Sequence, residues 1–226
     1  MQRLPRIAGN ELQSYMITVY LIRHGEVAGN EGSDRTYAGR TDLPLNARGL
    51  QQAAALAEAM REIHLDAIYC SSLQRTRQTA EGVAHDHQLN PIANTAWDEL
   101  DYGDWEALTV PEIKSGWGRL WQERQADPVH VRASGGENYL DLWQRLEPAW
   151  KQLLNNHQNQ SIAVFAHKGS IRILLAALLG APFNNFKRIQ SGNTGISCIQ
   201  LESPNAIPLI RYINDTSHLK FHSQQL

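Results

Sequence analysis

At 226 residues with 42% hydrophobic side chains, the chain can bury a full core, which excludes a disordered or fibrous polypeptide. A formal net charge of −2, with neither half strongly basic, argues against nucleic acid or a membrane surface as partner. With so small a net charge, affinity for an anion must come from locally placed arginines rather than a global field, and no apolar run reaches the length of a transmembrane helix.

The first fifteen residues contain Arg3 and Arg6 but no continuous apolar stretch; they fit a mobile extension better than a signal peptide. Residues 16–226 then read as a single domain. Ile17 to Ile22 is a near-continuous, β-branched apolar run of the kind a central parallel strand carries. It ends in Arg23-His24-Gly25-Glu26, and a polar loop continues to Arg48. Gly49 to Ile63 is expected to be a helix, with Leu50, Ala53, Ala54, Ala57 and Met60 at i, i+3, i+4 spacing. Ala67 to Cys70 is a short strand ending in Ser71-Ser72; Leu73 to Ala84 returns to helix, and Pro91-Ile92 begins another short strand.

All six tryptophans lie between Trp97 and Trp150. Thr109 to Gln125 and Glu137 to Leu154 look helical, so residues 104–160 are expected to form a helical insertion over one end of the sheet. Most of these aromatics are expected to be core, with Trp105, Trp117 and Trp121 shaping a pocket. Ser161 to Phe165 is a further strand, followed by Ala166-His167-Lys168-Gly169 and an apolar helix from Ser170 to Leu179 stopped by Gly180 and Pro182. Gly195 to Leu201 and Ile207 to Tyr212 close the sheet around a turn at Ser203-Pro204-Asn205. The alternation predicts a three-layer α/β/α sandwich with a mostly parallel central sheet and a helical cap. Cys70 and Cys198 sit in strand-like segments without metal-ligand spacing and read as buried thiols of a reducing, cytoplasmic setting.

Three strands thus end in chemistry-bearing residues: Arg23 and His24, then Arg75 a helical turn beyond the second, then His167. Carboxyl ends of parallel strands share one edge, where ligands bind. An arginine beside an unprotonated imidazole is what a histidine nucleophile needs to attack a phosphoryl group, and two guanidiniums can grip its oxygens in fork geometry. Such neighbours also depress the imidazole pKa. On charge alone, Arg77 competes with Arg75. The other seven histidines, His64, His85, His87, His130, His157, His218 and His222, lie in polar helix ends, loops or the tail and read as surface or structural.

Arg23-His24-Gly25-Glu26 with Asn30 resembles the signature of the histidine phosphatase superfamily, the phosphoglycerate-mutase-like fold. Further blocks resemble it in order: Gly39-Arg40-Thr41-Asp42-Leu43-Pro44-Leu45, Ser71 to Ala80, Glu99-Leu100-Asp101-Tyr102-Gly103-Asp104-Trp105-Glu106, Gly135-Gly136-Glu137-Asn138, Ala166-His167-Lys168-Gly169 and Asn214 to Leu219. The resemblance spans about Ile17 to Leu219 and is nearest to the α-ribazole phosphatase and broad-specificity phosphatase branches.

It implies that His24 is the nucleophile forming a phosphohistidine, and that Arg23, Arg75 and His167 hold the phosphoryl oxygens. Glu99 would be the general acid and base, ahead of Glu106 and Asp101. Asn30 and the backbone near Gly39 would add hydrogen bonds. No metal or cofactor is called for, since the arginines supply the positive charge. The partner is a small phosphorylated metabolite, and a homodimer is compatible with the chain. Leu100 and Asp101 stand where mutases of the family typically carry an arginine after the acid, which favours hydrolysis of a small phosphomonoester over phosphoglycerate-mutase-type transfer. A non-catalytic phospho-ligand scaffold is the remaining alternative. Two departures stand out. Lys168 replaces a glycine common in family phosphatases, and could touch substrate or face solvent; its place directly after His167 makes it a substrate-binding candidate. Ala107 replaces the glycine of a Trp-Glu-Gly triplet, which bears on loop shape.

Overall fold

The computed structural model describes residues 16–28 and 36–219, so Asn30, His222 and the expected mobile extension lie outside the described residues. Strand β1 (Ile17–Arg23) is followed by α1 (Ala47–Met60), β2 (Ala67–Cys70), α2 (Gln74–Asp86) and β3 (Ile92–Ala93). After two short 3-10 turns come α3 (Val110–Ala126), α4 (Tyr139–Asn156), β4 (Ser161–Ala166) and α5 (Lys168–Leu178). A 3-10 turn at Phe183–Arg188 leads to β5 (Ile196–Leu201) and β6 (Leu209–Asp215).

The six strands form one sheet in the order β3-β2-β4-β1-β5-β6. The pairs β3-β2, β2-β4 and β4-β1 are parallel; β5 runs antiparallel to β1, and β6 to β5. Period-2 alternation splits the central strands between two helical layers. Val19 and Leu21 of β1, with Ile162 and Val164 of β4, pack with Leu142, Leu146, Leu153 and Leu154 of α4 and Ile171, Leu174 and Leu175 of α5. On the opposite face Ile22, Ile68, Ala163 and Phe165 meet Leu56 and Met60 of α1 and Ala80 and Val83 of α2. Helix α4 therefore belongs to the main core. The segment standing off it is α3 with its flanking loops, which form a separate cluster of Trp105, Ile113 and Ala133 with Tyr37, Trp117 and Trp121 against it.

Local chemistry explains the helix ends. Asn46 caps α1 by accepting from Gly49 N–H at 2.8 Å, and Thr109 with Glu112, and Asn138 with Asp141, form capping boxes for α3 and α4. Helix α3 breaks its regular geometry at Trp117 (φ −133°, ψ 37°), between Gly116 and Gly118. Helix α5 starts two residues earlier than its apolar periodicity implies, because Ser170 Oγ accepts the His167 N–H at 3.1 Å and draws Lys168 and Gly169 into the first turn.

Candidate active site

The parallel register brings three chemistry-bearing strand ends to one edge: Arg23 is paired with Ala166, and Cys70 with Phe165, so His24, Ser71 and His167 emerge together. The nucleophile candidate is pinned from several sides. His24 N–H donates to Ala166 O at 3.1 Å, its carbonyl accepts from Asn193 Nδ2 at 3.0 Å, and Gly25 N–H donates to Thr79 Oγ1 at 2.9 Å. Its ring Nδ1 lies 2.6 Å from Gly25 O, a partner that can only accept. Nδ1 therefore carries the proton and Nε2 keeps its lone pair. Burial first, then the Arg75 and Arg23 guanidiniums, hold the His24 pKa well below the ordinary histidine value.

A cleft of about 330 Å³ opens beside this ring. Its lining includes Arg23, His24, Glu99 and Lys168, four of the residues singled out from the sequence. Glu99 is fixed at the amino end of α5: Gly169 N–H donates to Oε2 and Leu100 N–H to Oε1, both at 2.9 Å, a favourable end of the helix for an anion. A Cβ on Gly169 would come within 2.3 Å of Glu99 Oε1, so the glycine allows this approach. From below, Arg145 donates to Glu99 O at 2.7 Å while gripping Glu137, whose carboxylate accepts Asp101 N–H at 3.0 Å.

Arg75 and His167 are close by but differently engaged from the expectation. The rings of His24 and His167 are 5.1 Å apart. Arg75 is almost wholly buried and donates Nε to His167 Nδ1 (3.1 Å), Nη1 to Thr41 O (2.8 Å) and Nη2 to Gly39 O (2.6 Å). That commits three of its five N–H donors to protein. With Nδ1 accepting, His167 has its proton on Nε2, which faces Ser71 Oγ at 2.8 Å. Burial and the Arg75 charge hold its pKa well below the ordinary value, in keeping with the neutral ring. Neither side chain is among those lining the cleft, so contact with a phosphoryl oxygen through His167 requires the Ser71 bond to be given up. Between the two arginine candidates, Arg77 is exposed and only Arg75 reaches the histidines.

Gly39 likewise supports the site from behind. Its N–H goes to Glu106 at 3.1 Å and its carbonyl to Arg75, leaving no donor for a ligand. Glu106 is not among the cleft-lining residues; its carboxylate is taken up by the N–H groups of Gly39, Arg40, Thr41 and Tyr102 and by the Thr41 hydroxyl. The tryptophans do not line the cleft; Trp105 is fully buried and Trp121 packs behind Tyr37 at 5.7 Å. The aromatic walls are Tyr37, Tyr102, Tyr139 and Phe186. Burial raises the pKa of Tyr102 and pushes Tyr139 up to about 12, so both keep their hydroxyl protons. Arg124, buried with its guanidinium 5.3 Å from the Tyr102 ring and 5.7 Å from the Trp105 ring, backs this wall. Arg124, Arg172 and Lys187 were not marked by any sequence motif; only their cationic type, in helices and turns of unknown facing, was visible.

Among proteins of known name, the chain is 30% identical to phosphoserine phosphatase 1 of Hydrogenobacter thermophilus over 90% of its own length and 95% of that protein. It is also 30% identical to a protein of Salmonella choleraesuis named "Probable phosphoglycerate mutase GpmB", over 90% and 95% of the two chains. The crystal structure of the α-ribazole phosphatase from Shigella flexneri superposes with a TM-score of 0.80 at 28% identity, covering 88% of this chain and 96% of that one. The sequence profile of the histidine phosphatase superfamily (branch 1) matches residues 19–215, and with these relatives it establishes that the chain belongs to that superfamily.

Proposed function

We propose that the chain is a phosphomonoesterase that hydrolyses a small phosphorylated metabolite through a phosphohistidine on His24. The observation that carries this reading is the fixed tautomer: Nδ1–H is bound to Gly25 O, so the lone pair on Nε2 is available beside a cleft that Glu99 also lines. In the first half-reaction Nε2 attacks phosphorus and the P–O bond to the leaving group breaks. Protonated Glu99 gives its proton to the departing oxygen, releasing an alcohol. In the second, the Glu99 carboxylate takes a proton from water, whose oxygen attacks phosphorus as the P–N bond breaks. Inorganic phosphate leaves and both side chains return to their starting states. Arg23 at the cleft, and the buried charge of Arg75 behind it, offset charge on the transferring group, so the arginines do the work a metal does elsewhere.

Phosphoglycerate-mutase-type transfer shares the first step and is favoured by the name of the Salmonella relative. Against it, Leu100 is fully buried and Asp101 accepts from Gly103 N–H, so neither position after the acid supplies a cation. The test is phosphate release from phenyl phosphate in excess EDTA by wild type and His24→Ala. Acid- and alkali-quench trapping of the labelled protein is run alongside. Turnover with an acid-labile, alkali-stable label, both lost in the variant, supports the reading. Equal rates overturn His24 as nucleophile. Labelled transfer between phosphoglycerates that exceeds phosphate release favours the mutase, and no turnover with retained binding favours a scaffold.

A further inference from the structure

Glu99 sits on irregular backbone between the 3-10 turns Thr95–Trp97 and Gly103–Trp105, where no ladder or helix meets the main-chain polar groups. Arg145, reaching across from α4, meets them instead. Its Nη1 donates to Ala96 O at 2.9 Å and Thr95 O at 3.4 Å, and its Nη2 to Glu99 O at 2.7 Å. The other two N–H bonds of the guanidinium, from Nε and Nη2, take the two carboxylate oxygens of Glu137 at 2.9 and 3.1 Å. All five donors are thus engaged, two of them in a fork on one carboxylate. The two side chains are each only 19% exposed, so solvent screens this pair far less than a surface ion pair. Glu137 completes the clamp on the far side of the acid: Oε2 accepts the Asp101 N–H at 3.0 Å, and its own N–H donates to Asp101 O at 2.8 Å. Gly136 permits that approach, since a Cβ there would come within 2.5 Å of Asp101 O.

We infer that the Arg145–Glu137 pair positions the general acid, with Arg145 as the positioning residue that sets where the Glu99 carboxylate stands. This rests on Glu99 being the acid of the proposed hydrolysis. Neither side chain of the pair is among those lining the cleft, so the pair acts through Glu99 and not on the substrate. Arg145 and Glu137 fix the backbone on either side of residue 99, and the Leu100 and Gly169 N–H groups then fix the carboxylate. Lysine at position 145 would keep the charge but lack the planar fork that joins three carbonyls to a carboxylate. The role is therefore one of geometry, and a displacement of 1 Å in a catalytic group costs about 10²-fold in rate.

The test compares wild type, Arg145→Lys, Glu99→Gln and the double variant on propyl phosphate and 4-nitrophenyl phosphate. It reads kcat/KM, which covers the steps up to release of the alcohol. Of the two esters, only the propyl one needs a proton on its leaving oxygen. Arg145→Lys is expected to lose about 10- to 100-fold on propyl phosphate and under about threefold on 4-nitrophenyl phosphate. The double variant should fall within about threefold of Glu99→Gln alone, because a residue acting through Glu99 then has nothing left to position. Equal loss on both esters by Arg145→Lys, or losses that multiply in the double variant, overturns the inference. Equal loss on both esters by Glu99→Gln overturns the acid reading, and the inference with it. Amide hydrogen exchange supplies a readout that needs no turnover. The Leu100 and Gly169 amides, bonded to the Glu99 carboxylate, should exchange about 10-fold faster in Arg145→Lys, while the Gly25 amide, bonded to Thr79, stays within about twofold. Glu137→Gln keeps the shape of the pair and should move both readouts the same way by a smaller factor. Unchanged exchange at Leu100 and Gly169 overturns the inference, as does a uniform loss of protection that includes Gly25. With no phosphate release by wild type the hydrolytic reading falls, and the exchange result alone decides whether the pair positions the carboxylate.

Discussion

Gly169→Ala separates the position of the acid from its presence. The added Cβ would lie 2.3 Å from Glu99 Oε1 and 3.1 Å from its Cδ, whereas ordinary contact begins near 3.4 Å, so the carboxylate must retreat by about 1 Å. That movement breaks or stretches the 2.9 Å bond from Leu100 N–H, a charge-assisted bond of about 1.5–3 kcal/mol. Alanine in the first turn of α5 returns about 0.4–1 kcal/mol, leaving a net loss of about 1–2 kcal/mol in a still-folded protein. A displacement of 1 Å in a catalytic group costs about 10²-fold in rate. The assay is kcat/KM for an alkyl phosphate against 4-nitrophenyl phosphate, whose leaving group departs without needing a proton. The alkyl ester should lose about 100-fold and the nitrophenyl ester much less. A variant that cleaves the alkyl ester within threefold of wild type, or loses both substrates equally, would refute Glu99 as the acid held by this contact.

Three further outcomes are expected. The depressed pKa values of His24 and His167 mean that the unfolded chain binds protons that the folded one refuses. Stability should then be full above about pH 6.5 and fall on acidification, by up to about 1.4 kcal/mol per pH unit for each ring; a urea-unfolding series from pH 7 to 5 should be shallower for His24→Ala, and identical slopes would contradict the assignment. Ala107 is held at φ 61°, a left-handed backbone that L-residues adopt at a cost, while its N–H stays bonded to Tyr37 O at 2.7 Å; Ala107→Gly should raise stability by up to about 1 kcal/mol in thermal unfolding, and a clear destabilisation would show that the loop needs the methyl group. Glu106→Gln turns an amide toward a cluster of donors around residues 39–41 and Tyr102, so unfolding should cost about 2–4 kcal/mol less and kcat should fall as Arg75 loses its carbonyl anchors; unchanged stability and kcat would remove Glu106 as the organiser of that loop.

The layers of the fold were legible because both signals of burial were clean. β1, β2 and β4 are apolar runs, and α1, α4 and α5 carry helical stripes, so their assignments hold to within a few residues. Where the boundaries move, polar chemistry moves them: Ser170 capping His167 extends α5 backward over a lysine and a glycine that read as loop. That His24 and Glu99 meet at one cleft was legible from blocks of sequence, but the contacts of their neighbours were not. Whether an arginine faces a ligand or a carbonyl depends on loops a hundred residues away. Arg75 turns to Gly39 and Thr41 for this reason, and no local pattern announces it. The cleft walls were misread in the same way. The six tryptophans are conspicuous by rarity, yet Trp97, Trp105 and Trp150 are buried, Trp117 and Trp121 pack half-buried in the α3 cluster, and the amphipathic tyrosines are the ones left facing the cleft.

The polar groups around the site form one connected support. Glu106 orders residues 39–41; the carbonyls of Gly39 and Thr41 hold Arg75; Arg75 fixes the tautomer of His167; and Tyr102, which lines the cleft, donates its N–H to the same Glu106. Buried guanidinium is expensive unless its donors are met, and here two carbonyls and an imidazole meet them. The charge of Arg75 can therefore remain beside His24, where it is the next cause after burial that depresses the imidazole pKa. Lysine at this position would keep the charge but has neither the fork nor the reach to bridge two carbonyls and a ring nitrogen. The electrostatic role and the structural role of this arginine are thus inseparable in the geometry: the charge that adds to burial in holding the His24 pKa down is itself held by the carbonyls of Gly39 and Thr41.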